Sequence, residues 1–138
     1  MAAIRAGLAA NLAAAFPTVN VSAYMFASPD PPCIDLMPGG ASFDLAMDRG
    51  VDSVQLVVRV MVSWADVVAA QENLDAYMAT TGPLSVKKAV ESDGTLGGVV
   101  AWTRVQSVSG YKEYPHKPAQ VADVQTKLGV EFTVLVYT

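Results

Sequence analysis

Two stretches of the chain alternate apolar and polar residues over a full strand length. From residue 51 to 62, Val54, Leu56, Val58, Val60 and Val62 fall on one face, and Ser53, Gln55, Val57, Arg59 and Met61 on the other. At the end, Leu128, Val130, Phe132, Val134 and Val136 share a face, with Glu131, Thr133, Leu135 and Tyr137 opposite. A period of two is that of a half-buried strand. One face of each strand is core and the other is only half polar, which predicts an antiparallel sheet with helices on one side and a contact or lumen surface on the other. The C-terminal strand is expected to be central and paired.

Other segments follow a helical period. Ile4, Leu8 and Leu12 recur every four residues, predicting a helix from about Ala2 to Ala15 that stops at Phe16-Pro17, where the proline disfavours continuation. The Ala-rich start resembles a signal peptide, but Asn11 interrupts its apolar run and the stripe favours a helix. Ser63-Trp64-Ala65-Asp66 reads as a capping box for a second helix, with Val67, Ala70, Leu74, Tyr77 and Met78 inward and Gly82-Pro83 as its end. A short third helix is expected from Ser85 to Asp93-Gly94, with Val86, Ala89 and Val90 inward.

Between these elements lie shorter expectations. Val19 to Tyr24 alternates as a strand; Ser28-Pro29-Asp30-Pro31-Pro32 is an extended loop; Cys33 to Met37 is a short edge strand ended by Pro38-Gly39-Gly40. Val99 to Ser109 is a third long strand, bulged near Ser107. Tyr111 to Ala122, rich in aromatic residues and proline, reads as a projecting arm. The fold class is therefore α+β: a mainly antiparallel β-sheet with helices packed on one face, a single domain over residues 1–138, with projecting loops at about 25–50 and 111–126.

Composition narrows the function. Hydrophobic residues make up 52% and charged residues 16% of 138 residues, more apolar surface than a small monomer hides easily. A net charge of −4 with scattered Lys and Arg leaves no basic stripe for sequence-specific nucleic-acid binding. One cysteine, Cys33, excludes an intrachain disulfide, and no apolar run reaches the roughly 20 residues of a membrane span.

Candidate chemistry is sparse. His116 is the single histidine and sits in the arm, where a nucleophile and base are hardest to preorganise, so no catalytic, cofactor-binding or metal-ligating residue is assigned. Gly94-Thr95-Leu96-Gly97-Gly98 precedes a strand and lacks the Gly-Lys-Ser/Thr ending of a phosphate loop, so its glycines read as turn residues. Asp30, Asp35, Asp44, Asp48 and Asp52 match no calcium-loop spacing and read as solvated loop acids, which in a ring would repel DNA phosphates and ease passage. Trp64 and Trp102 read as core or interface anchors.

In order and spacing, several segments resemble the tail terminator and neck proteins of long-tailed bacteriophages, particularly those infecting actinobacteria. They are Ile4-Arg5-Ala6-Gly7-Leu8-Ala9-Ala10-Asn11-Leu12, Val21-Ser22-Ala23-Tyr24 before a Pro-rich loop, Met47-Asp48-Arg49-Gly50, Leu74-Asp75-Ala76-Tyr77-Met78-Ala79, Ser85 to Asp93, Thr95-Leu96-Gly97-Gly98, and Glu131 to Tyr137. The resemblance implies a tail-terminator-like fold and a virion protein, assembled in the host cytoplasm, whose copies join into a hexameric ring. That ring would cap the tail tube, meet the major tail tube protein and the head-completion or connector proteins, and pass DNA through its channel without reading it. A head-tail connector, stopper or minor tail protein is the structural alternative, and a small ligand-binding or hydrolytic domain using Asp and His116 the alternative of another class. Polar and aromatic loop residues suit contacts between subunits, and Met47, Asp48, Arg49, Tyr111, Tyr114, His116 and Lys117 are the expected ones.

Overall fold

The computed structural model describes residues 1–25, 32–43, 52–63, 66–116 and 125–138, with backbone alone at 115, 116, 125 and 126. Its elements run α1 (Ala2–Ala15), β1 (Asn20–Val21), β2 (Cys33–Ser42), β3 (Ser53–Ser63), α2 (Val67–Met78), α3 (Val86–Val90), β4 (Trp102–Val108), β5 (Lys112–His116) and β6 (Gln125–Tyr137). The strands form one sheet in the order β1-β2-β3-β6-β4, with β5 also paired to β6. Only β1 and β2 run parallel; the other pairings are antiparallel, so the class is α+β with a mixed sheet.

The two strongly alternating segments pair with each other. β3 and β6 stay in unbroken register from Ser53↔Tyr137 to Ser63↔Lys127, which sets Leu56 beside Val134, Val58 beside Phe132 and Val60 beside Val130. These six side chains are buried. Because the pleat sends alternate residues to opposite faces, this register puts every core valine of both strands on one side.

The helices cover that inner face. Ile4, Leu8 and Leu12 of α1, Ala70, Leu74 and Tyr77 of α2, and Val86, Ala89 and Val90 of α3 join the strand residues in one apolar cluster. α1 ends at Phe16, whose ring meets Tyr77 edge-on at 5.6 Å. Asn11, the polar residue within the α1 run, donates to the carbonyls of Val90 (3.3 Å) and Asp93 (3.2 Å), so it satisfies carbonyls at and just past the end of α3. Gly7 permits this approach, since a Cβ there would stand 2.7 Å from that of Leu96.

Several boundaries differ from the sequence expectation. The cap of α2 lies three residues after the expected one: β3 continues through Ser63, held by its pairing with Lys127, and Asp66 caps the helix by accepting from the Ala69 amide at 3.1 Å. β2 does not stop at Met37 but passes through Pro38-Gly39-Gly40 with a bulge, so part of the expected 25–50 loop is strand. A proline is tolerated there because β1 pairs with β2 only at residues 33 and 34, which leaves an edge where a missing N–H costs little. β1 itself is two residues long, not six.

β4 starts at Trp102 instead of Val99, because Gly97 and Gly98, at φ +74° and +89°, still carry the chain through a turn. The expected bulge is present between Val105 and Ser107. Half of the expected arm is also strand: β5 pairs with β6 from Lys112↔Gly129 to His116↔Gln125, so β4 and β5 lie end to end along one edge of β6. The 26–31, 44–50 and 117–124 parts of the expected loops, which include Asp30, Asp44 and Asp48, lie outside the described residues, as does Trp64.

Thr103 faces the core opposite Val136, and its buried hydroxyl has no hydrogen-bond partner among the described residues. Thr103→Val swaps that hydroxyl for a methyl of the same shape and is expected to raise stability by about 1 kcal/mol. The check is a urea titration, in which the midpoint should rise at constant slope.

Candidate functional site

The outer face of the sheet holds the chain's concentration of interacting polar and aromatic groups. Register aligns Asp35 of β2 with Arg59 of β3, and Arg59 with Glu131 of β6. In the next row Lys112 of β5 lies opposite Gly129, and beyond it Tyr114 pairs with Lys127. A Cβ on Gly129 would stand 2.7 Å from Tyr114 Cε2 and 2.6 Å from the Val60 carbonyl oxygen, so the missing side chain is what lets the Tyr114 ring lie across β6.

Five side chains from four strands then close on each other. Arg59 donates through Nε to Asp35 Oδ1 at 2.9 Å and through Nη2 to Oδ2, a bidentate pair in which Asp35 is fully buried and Arg59 keeps 14% exposure. The guanidinium stands 5.2 Å from the Tyr114 ring centre. Tyr114 donates its hydroxyl to Glu131 Oε1 at 2.8 Å, and Lys112 Nζ donates to Oε2 at 2.7 Å.

Protonation follows from these contacts. The hydrogen bond to Asp35 raises the Arg59 pKa against the effect of burial. Burial, reinforced by the Glu131 carboxylate, pushes the Tyr114 hydroxyl up. Burial also pushes the Glu131 carboxyl up, but hydrogen bonds from Lys112 and Tyr114 outweigh it and hold the group below its ordinary value. Near neutral pH the phenol thus keeps its proton and Glu131 stays ionised, so neither is poised to exchange one. The cluster ties β5 to β6 and β3 to β2.

The other end of the same face is aromatic. Trp102 stacks on Tyr137 across β4 and β6, with ring centres 4.1 Å apart and planes 17° apart, and Arg104 places its guanidinium 5.5 Å from the Trp102 ring centre. Half-buried Val57, Thr133 and Leu135 lie between the two ends. Phe43, one residue beyond the Ser42-Ser53-Tyr137-Trp102 row, is 70% exposed, and Trp102 is 42% exposed.

Among the residues singled out from sequence, Tyr114 belongs to the polar cluster, and Tyr111 donates its hydroxyl to the Asp75 carboxylate on α2 while its ring stays exposed. His116 pairs with Gln125 through the strand register. Met47, Asp48, Arg49 and Lys117 lie outside the described residues. Asp35 corrects an expectation: it is a fully buried strand residue in an ion pair, not a solvated loop acid. Its signal was a lone charge inside the apolar run Cys33-Ile34-Asp35-Leu36, and Arg59 and Glu131 interrupt their own strands in the same way.

Elsewhere, a cavity of about 210 Å³ opens beside the β4 bulge between Met78, Lys87, Val108 and Phe132, smaller than the ~300 Å³ at which ligand pockets usually begin. Among the described residues, no group of three or more His, Cys, Asp or Glu side chains is placed to hold a metal ion, and no helix is long and apolar enough to cross a membrane. Gly94 to Gly98 forms a turn closed by Asp93, which accepts from Thr95 and from the Gly97 amide. Comparison of the chain with models of known protein families gave no match, and comparison with curated protein sequences gave none either.

Arg59→Met should cost about 3–5 kcal/mol, because it removes the bidentate counter-charge of the buried Asp35 carboxylate. Asp35→Leu combined with Arg59→Met should recover most of that loss, as measured by a denaturant double-mutant cycle; equal losses in single and double variants would contradict the pairing. The depressed Glu131 pKa gives a second expectation. Its contribution is complete above the ordinary carboxyl value of 4.5 and is lost as pH falls through the lower folded value. Between about pH 6 and about pH 3, the urea midpoint of the native chain should therefore fall further than that of Glu131→Gln.

Proposed function

We propose that this chain is a structural protein of the bacteriophage neck, with a tail-terminator-like fold, whose copies form a ring that caps the tail tube. In that reading the ring, hexameric as the resemblance implies, ends tube polymerisation and offers its other side to the head-completion proteins. The chain acts by matching surfaces and performs no chemical step. It is assembled in the host cytoplasm and resides in the virion tail or neck.

One observation carries this reading. The outer sheet face has the half-buried Val57 and Leu135 and the exposed Trp102 in positions that polar residues fill when such a face meets only water. Apolar and aromatic groups retained there favour a protein partner. The paired polar cluster beside them supports the same reading, since its charges neutralise one another and stiffen the sheet that would carry the contact. The resemblance of its segments, in order and spacing, to tail terminator and neck proteins is what supports this identity for the assembly.

A ring needs a heterologous interface, in which one patch meets a different patch on the next copy and the rotation closes. Met47, Asp48, Arg49, Tyr111, Tyr114, His116 and Lys117 are proposed near such contacts. Tyr111 and Tyr114 would act through their rings, since each hydroxyl is engaged within the chain. With a net charge of −4, the ring would let DNA pass through its channel without holding it.

Electron microscopy of particles made without the protein tests the assignment. Overlong or ragged tails are expected for a terminator. Tails of normal length beside unjoined heads would move the chain to a connector or stopper position, and complete infectious particles would overturn a neck role.

A further inference from the structure

On the helical side of the molecule, α2 presents a stripe whose character is opposite to that of the sheet face. Ala70, Leu74 and Tyr77 of this helix point into the core. Val68, Glu72 and Asp75, spaced four and three residues apart, lie on its far side, and all three are exposed. Val68 is 65% exposed and its neighbour Val67 47%. The helix contains no Lys or Arg, and Asp66 at its cap adds a further acid.

The aromatic end of the sheet face carries the other sign. Arg104 projects there beside Trp102, and among the described residues no carboxylate forms an ion pair with it. The acids described on this face, Asp35 and Glu131, are engaged with Arg59 and Lys112 in the neighbouring cluster. A cationic, aromatic patch therefore stands on one side of a two-layer domain and an acidic, aliphatic stripe on the other. They cannot meet within one chain.

We propose that these two surfaces bind each other between copies. The Trp102, Arg104 and Tyr137 patch of one copy would dock on the Val68 and Glu72 stripe of the next, with Arg104 paired to Glu72 and Trp102 against Val68. Such a contact is head to tail, because the surfaces are different and face opposite ways. It rests on the reading of the chain as a self-assembling neck protein and names the surfaces used. Charge complementarity selects a second copy as the occupant, since the chain itself supplies the matching acid and apolar groups.

Sedimentation velocity of the purified chain, alone and with purified tail tubes, tests the contact through a charge swap. Arg104→Glu and Glu72→Arg should each weaken self-association by about tenfold or more, and the double variant should recover most of it. Raising the salt concentration should weaken the native contact and leave the already broken single variants nearly unchanged. Both positions are exposed, so an unchanged circular dichroism melt in each variant separates lost contact from lost fold. Native assembly that survives both single swaps, or a double variant no better than either, overturns this contact while leaving the ring intact. Native protein that stays monomeric with and without tubes overturns it as well. Failure of the neck reading would instead appear in the particles, as complete virions formed without the chain.

Discussion

The pairing of β3 with β6 is the constraint on which the rest depends. Eleven consecutive registered pairs join segments far apart in sequence, and their alternation leaves only one way to bury all the core valines at once. A slip of one residue in β3 would turn Leu56, Val58 and Val60 to the outside while Phe132 and Val134 of β6 stayed inside. α1, α2 and α3 then have a single apolar surface to cover. β2 extends the sheet beside β3, and β4 and β5 extend it beside β6.

The same register determines the outer face. With the core side fixed, Asp35, Arg59 and Glu131 must share a row on the other side, and Gly129 must lie where Tyr114 crosses it. Charges that are costly to desolvate alone become tolerable as a mutually bonded set, and together they fasten the root of the β5–β6 hairpin. Trp102, Tyr137 and Arg104 are left at the opposite end, with no helix over them among the described residues and with the Trp102 ring surface still exposed. Rigid support at one end and open aromatic surface at the other is the division expected of a contact face.

Much of this architecture was legible in the sequence where a single period dominates. The stripe Ile4/Leu8/Leu12, the valine alternation of β3 and β6, the start of α3 at Ser85 and the β4 bulge are all local patterns, and each occurs in the structure, where Ser85 caps α3. The differences arise where tertiary pairing overrides local punctuation. Lys127 holds Ser63, the first residue of the expected capping box, in β3, an edge position lets β2 run through Pro38, and β6 recruits Lys112 to His116 as a strand. The polar cluster was hidden for a related reason: Asp35, Arg59 and Glu131 are far apart in sequence and become neighbours only once strand order and register are known. Of its members, Tyr114 was singled out beforehand as a contact residue, from its place in an aromatic, proline-bearing segment, and Asp35 only as a loop acid.

A sheet that protects one face with helices and leaves apolar and aromatic groups on the other is what the proposed assembly would use. The closing contact between copies, more than any single side chain, is where the proposed function resides. High-resolution electron microscopy of the neck in intact particles tests this most directly. The expected result is a closed ring of this chain at the head-proximal end of the tail tube, with Trp102 and Tyr137 buried between adjacent copies. Density for the chain with that sheet face turned to solvent, or a neck built without it, would contradict the account.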